Sequence, residues 1–180
     1  MLSKVTAALL AALLLFLVPA VQIAQRGEDI RYLSAYQALM QFADAVRNKG
    51  YVSPSMYVDF VRELEAGGAS YEVELEHRHK KYHPEYGDPA NPATFLNDFS
   101  VVYDAYYTDD ILRVLFPPEG SAAVEGEGVY TLQEGDFFAV AAADRSRSAW
   151  DVLSEFLYGG AGKEVPDRLT YGGMVLNEDY

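Results

Sequence analysis

The chain contains no cysteine. That absence excludes disulfides, a thiolate nucleophile and any cysteine-ligated zinc or iron–sulfur centre. Positive charge is scarce. Against 27 Asp+Glu there are 14 Lys+Arg, for a formal net charge of -13. A surface this acidic repels phosphate backbones and anionic headgroups, so neither nucleic-acid binding nor polybasic membrane attachment is expected. Histidine is limited to three residues and tryptophan to one. The sequence has no G-x-S-x-G elbow, no P-loop, no G-x-G-x-x-G opening a helix and no H-E-x-x-H, and no serine has a histidine and carboxylate at a recognisable spacing. No enzyme and no cofactor is expected.

What is present is apolar and aromatic. Half of the 180 residues are hydrophobic and 14 are tyrosine, enough for a packed core without disulfide support. Tyrosine joins an apolar body to a polar tip and serves equally in half-buried strands and at contact surfaces. Val5 to Val21 reads VTAALLAALLLFLVPAV, uncharged, with Lys4 before it. As a helix this run spans about 25 Å, slightly short of a hydrocarbon core. It reads either as a membrane anchor with its N-terminus inside or as a cleaved signal peptide, with Val18-Pro19-Ala20 or Gln22-Ile23-Ala24 before the cut. Residues 1–24 therefore form an anchor or signal segment, residues 25–50 an amphipathic helix and residues 51–180 an extracytoplasmic head. The expected location is the cell membrane, single-pass with the C-terminal domain outside; the alternative is secretion.

Tyr32, Ala35, Leu39, Phe42 and Val46 recur at helical spacing and form one apolar face. Gly27 is a candidate break ahead of that face, and Asn48-Lys49-Gly50 a helix stop. Ser53-Pro54 opens a second helix facing inward through Tyr57, Phe60, Val61 and Leu64. Tyr71 to Lys81 alternates as a half-buried strand does. His83 to Thr94, with three prolines, reads as a loop, and Phe95 to Tyr107 as partly extended. Thr108-Asp109-Asp110 starts a helix with Ile111, Leu112, Leu115 and Phe116 inward, and Gly120 to Gly128 is a small-residue acidic loop. Tyr130–Gln133 and Phe137–Ala143 read as a hairpin across Glu134-Gly135-Asp136. Ser148 caps a last helix facing inward through Trp150, Leu153, Phe156 and Leu157, and a strand follows from Arg168 to about Leu176. The class is α+β: an N-terminal hydrophobic helix continuing into an amphipathic helix, then a small, mostly antiparallel sheet with two or three helices.

One dense polar cluster stands out. His77, His79 and His83 include every histidine of the chain. Two residues apart on a strand, His77 and His79 leave the same face and can chelate zinc or copper, with His83 or Glu85 as a third ligand. Arg78, Lys80 and Lys81 beside them argue for a merely solvated strand end. Asp109-Asp110 is explained by the helix dipole. Glu125 and Glu127 lack the ligand spacing of an EF-hand.

The layout of an apolar N-terminal helix, an amphipathic continuation and a small α+β head resembles that of pilin-like proteins. In outline it is similar to small membrane-anchored components found with bacterial tight-adherence pili, and the stretch from Gly50-Tyr51-Val52 through Tyr57-Val58-Asp59-Phe60 to Tyr71-Glu72-Val73-Glu74 resembles uncharacterised bacterial proteins of that kind. The resemblance implies a non-catalytic structural or accessory subunit of a bacterial cell-surface assembly. It would touch membrane lipid through residues 5–21, with Pro19 as a kink, and pack against other pilin-like subunits or itself. Unlike a prepilin, the chain has only Met1 to Lys4 before the apolar run and no acidic residue before Glu28. Outside that resemblance, a secreted binding module, metal-dependent through the histidines, is the alternative.

Overall fold

The computed structural model describes residues 2–88, 90–118, 128–147, 149–158 and 168–178. Its dominant element is one helix, α1 (Leu2–Lys49), which runs without interruption through both Pro19 and Gly27. The expected break at Gly27 is absent. A lone glycine costs about 1 kcal/mol relative to alanine, which is too little to end a helix held on both sides by good helix formers. Two halves of α1 lie in different surroundings. Up to Ile30 and Leu33, among the described residues, most large apolar side chains are exposed and none is buried, with Leu15 74% and Phe16 80% accessible. From Ala35 onward, Ala38, Leu39, Phe42, Ala43 and Val46 are buried. Tyr32, expected in the buried stripe, is 46% exposed, because the buried core begins one turn later, at Ala35. Among the described residues this is the one helix long and apolar enough to cross a membrane, and its most apolar window is wholly outside the packed head. Such a segment can act as an anchor or a signal and can touch membrane lipid.

The helix stops where expected. Gly50 takes a φ of 70°, and its N–H donates to the Val46 carbonyl at 2.8 Å. A side chain there would also strike Asn177, 2.6 Å from the position of a Cβ. After β1 (Tyr51–Val52), Ser53 caps α2 (Pro54–Leu64) by accepting from the Met56 N–H.

The main sheet is antiparallel, in the order β3–β2–β5–β6, from β2 (Tyr71–Tyr86), β3 (Phe95–Tyr107), β5 (Phe137–Asp144) and β6 (Arg168–Met174). Its inner face meets α1 and α2. Leu75, Phe138, Val140, Ala142 and Leu169 pack with Phe60, Leu64 and the buried half of α1. The Phe42 ring stacks on Phe60 with centroids 4.3 Å apart and meets Phe138 edge-on. α3 (Thr108–Leu115) buries Ile111 and Leu115. It begins at Thr108 as expected, with Tyr107 as its N-cap. The Thr108 hydroxyl accepts from the Leu75 N–H at 2.8 Å, extending the β2–β3 pairing by one bond.

Three further expectations are corrected. His83 to Tyr86 is strand, not loop, and β3 is a full strand. Beyond Arg78, β2 pairs with β3 alone among the described residues, so a proline at position 84 is tolerated as in an edge strand. The second correction concerns β4 (Tyr130–Thr131), which pairs with β1 and not with β5. The segment between them is turned aside by its own bonds: the Gln133 N–H donates to the Asp136 carboxylate, and the Gly135 N–H donates to the Val175 carbonyl. In α4 (Ala149–Tyr158), Phe156 is 82% exposed and not part of a buried face. The expected roles of Ser148, Trp150, Leu157 and most of the acidic loop, including Glu125 and Glu127, lie outside the described residues.

The registers give the head a direction. Tyr71 lies opposite Asp144, which receives Arg31. Arg78 lies opposite Phe137, and Phe137 opposite Met174, whose carbonyl receives Arg47. β2 therefore runs in the same sense as α1. Its second half continues with β3 as a two-stranded ribbon, about 25 Å long, past the C-terminal end of α1 and away from the apolar half-helix.

Candidate functional site

The polar centre of the head forms where the ribbon leaves the sheet. His77 and His79 occupy alternate positions of β2 and share its inner face, as strand parity requires. Opposite them the turn before β5 supplies Asp136, whose residue is 1% exposed. The His77 Nε2 lies 2.9 Å from Asp136 Oδ2, and the His79 Nδ1 lies 2.9 Å from Oδ1. The same carboxylate accepts the Lys80 N–H at 3.0 Å and the Gln133 N–H at 2.8 Å. Asp136 thus fastens a turn to the strand across more than fifty residues of chain. On its far side His77 meets the Tyr130 hydroxyl through Nδ1 at 2.7 Å, and the Tyr106 ring stacks against it with centroids 5.6 Å apart.

Electrostatics follow from this packing. Burial pushes the His77 imidazole below its ordinary value, and nearby His79 adds to the effect, against the pull of Asp136. For Asp136, burial alone would raise the carboxyl. The bonds from the Lys80 and Gln133 N–H groups and from both histidines outweigh it, so the carboxyl is held below its usual range. Burial also raises the Tyr130 phenol. The arrangement is a carboxylate serving two imidazoles, with a neutral phenol behind one of them.

Of the three expected ligands the fold brings together two. His83 is exposed on the ribbon, six residues beyond His77, and is not part of the cluster. The third donor is Asp136, with ligand atoms of His77, His79 and Asp136 all within 4.8 Å of one another. The basic neighbours do not crowd this centre. Arg78 pairs with Glu76 and lies over Phe137, Lys80 lies over the Tyr82 ring, and Lys81 pairs with Asp104. Elsewhere, a shallow depression of about 350 Å³ on the outer sheet face contains Glu74 and Glu76. Both carboxylates are ion-paired, to Arg168 and Arg78.

Comparison with protein-family models finds no match, and neither curated proteins nor solved structures provide one.

Proposed function

We propose that the chain is a non-catalytic structural or accessory subunit of a bacterial cell-surface assembly of pilin-like layout, held by its N-terminal half-helix with the head outside the cytoplasm. One observation carries the reading. A single helix is bare and apolar over one half and forms the middle of the head's core over the other. A surface of this size and polarity needs cover, from lipid or from the equivalent helices of neighbouring subunits. Lys4 ahead of the run favours an N-terminus on the cytoplasmic side. The ribbon lies at the pole opposite the bare helix, which supports a part for it in contacts with other subunits.

The intact mass of the mature protein, recovered separately from membranes or filaments and from the medium, tests this. A chain retaining residues 5–21 and remaining in the membrane or filament fraction is the expected result. A chain starting near Val21 or Gln25 and free in the medium would overturn the proposal and favour a secreted binding module.

A further inference from the structure

We infer that His77, His79 and Asp136 form a binding site for a divalent transition-metal ion, zinc being the prime candidate, at the base of the ribbon. The donors are two imidazoles and one carboxylate, contributed by β2 and by the turn ahead of β5. Mixed nitrogen and oxygen donors suit Zn²⁺, Cu²⁺ or Ni²⁺, whereas Ca²⁺ and Mg²⁺ require oxygen. Ligands about 2.0–2.2 Å from a tetrahedral ion lie roughly 3.4 Å apart. The present imidazole–carboxylate contacts of 2.9 Å need to open by only a few tenths of an ångström.

The surroundings hold two of the three donors, His77 and Asp136, as metal ligands are commonly held. Tyr130 orients His77, Tyr106 supports its ring, and the Lys80 and Gln133 N–H groups fix the carboxylate. The protons also balance. Without metal each imidazole directs an N–H at Asp136, and the Tyr130 hydroxyl donates to His77 Nδ1. With metal the His77 proton moves to Nδ1, and the Tyr130 hydroxyl turns from donor to acceptor, a rotation open to any phenol. The His79 proton moves to Nε2. Both rings stay neutral, and His77 keeps its bond to Tyr130. The His79 side chain is 22% exposed, which opens one side of the site to a water as fourth ligand. An ion there would clamp the ribbon to the head just past the last pairing of β2 with β5.

The test uses the full-length protein in detergent, stripped with EDTA and dialysed. Zinc is titrated calorimetrically and cobalt(II) by its ligand-field absorption, with circular dichroism to confirm folding. One equivalent per chain at micromolar affinity or better is expected, together with a higher Tm. His79→Ala, at a partly exposed position, should weaken binding at least tenfold while the protein stays folded. Asp136→Asn should do the same, and Tyr130→Phe should weaken it about tenfold through orientation alone. His83→Ala should change nothing. No uptake by folded wild-type protein, undiminished uptake by His79→Ala, or loss of uptake in His83→Ala would each overturn the assignment.

Discussion

The two halves of α1 are built from similar residues and meet opposite fates. Leu13, Leu15 and Phe16 are apolar and exposed; Leu39, Phe42 and Val46 are apolar and buried. Both halves continue one uninterrupted helix. Helix propensity therefore cannot distinguish them, and their roles depend on what lies alongside. The buried half has charges off its stripe, with Asp44 and Arg47 paired to each other, and its apolar side meets the sheet. The bare half carries no charge from Val5 to Val21, as a segment surrounded by apolar cover requires.

The largest effect should come from putting charge into the buried half. Leu39→Lys combined with Phe42→Lys places two cations where 0% and 5% of the residues are accessible, within a cluster of apolar side chains. Truncation of Phe42 to alanine alone should cost about 3–5 kcal/mol, and the double lysine variant more, so no folded head is expected. Leu13→Lys with Phe16→Lys should leave the head's unfolding midpoint unchanged and release the protein from membranes or filaments. Denaturant unfolding and fractionation of the two variants side by side make the comparison. Equal loss of folding in both would show that the bare half supports the head, and the contrast would fail.

Next in size is the carboxylate that joins turn and ribbon. Asp136→Ala leaves His77, a buried imidazole, and two N–H groups without their acceptor. Unsatisfied buried groups of this kind cost about 1–3 kcal/mol each, less where water enters. A loss of about 2–4 kcal/mol is expected for metal-free protein in chemical denaturation. Hydrogen exchange should quicken first around His77–Lys80 and Gln133–Asp136, and slow exchange retained there would contradict the role of Asp136 as a hub.

These residues also mark how far the sequence could be read. The buried half of α1 was legible because a stripe at spacings of three and four is local information, and Asn48-Lys49-Gly50 closes it with a left-handed glycine. Strand parity likewise placed His77 and His79 on one face. Asp136 was not legible as their partner. Within its own segment, Glu134-Gly135-Asp136 shows turn chemistry, and its contact with the histidines spans 59 and 57 positions. His83 took its place because it lies close in sequence, but its strand carries it away from the head. The ribbon was hidden by Pro84, which signals a break only where both sides of a strand must be paired. The signal that remained was the register: a turn immediately before the strand paired with β2 must lie beside the end of that pairing.

A smaller effect is expected at the joint between the halves of α1. Arg31 reaches Asp144 at 3.0 Å and the Ser146 hydroxyl at 2.7 Å, and also lies near Glu28. Among the described residues it is the first side chain of the helix to be tied to the sheet by such a bond. Arg31→Ala should cost about 1 kcal/mol, since the pair is only partly shielded from water. The loss should fall on helix protection around residues 28–34 while exchange at Leu39 to Val46 stays slow. If protection fell along the whole buried half instead, the joint would be part of the core and the boundary would lie nearer the N-terminus.

The smallest change in stability is expected farthest from the anchor, where exposure again separates apolar residues from the core. On the ribbon, Tyr82 pairs with Val101, and Tyr103 with Lys80. Phe99, Val101 and Tyr103 are 54%, 45% and 53% exposed. Little apolar area leaves water there on folding of one chain, so Phe99→Ser with Tyr103→Ser should shift the unfolding free energy by no more than about 1 kcal/mol. That near-neutrality makes the pair informative. The same two side chains present aromatic surface at the pole opposite the bare helix, open to a neighbouring subunit in the assembly proposed above. Assembly measured by crosslinking of native filaments or by sedimentation should therefore fall while the melting curve stays in place. A ribbon variant that assembles normally would confine the subunit contacts to the helix, leaving the ribbon's apolar face without a part in them.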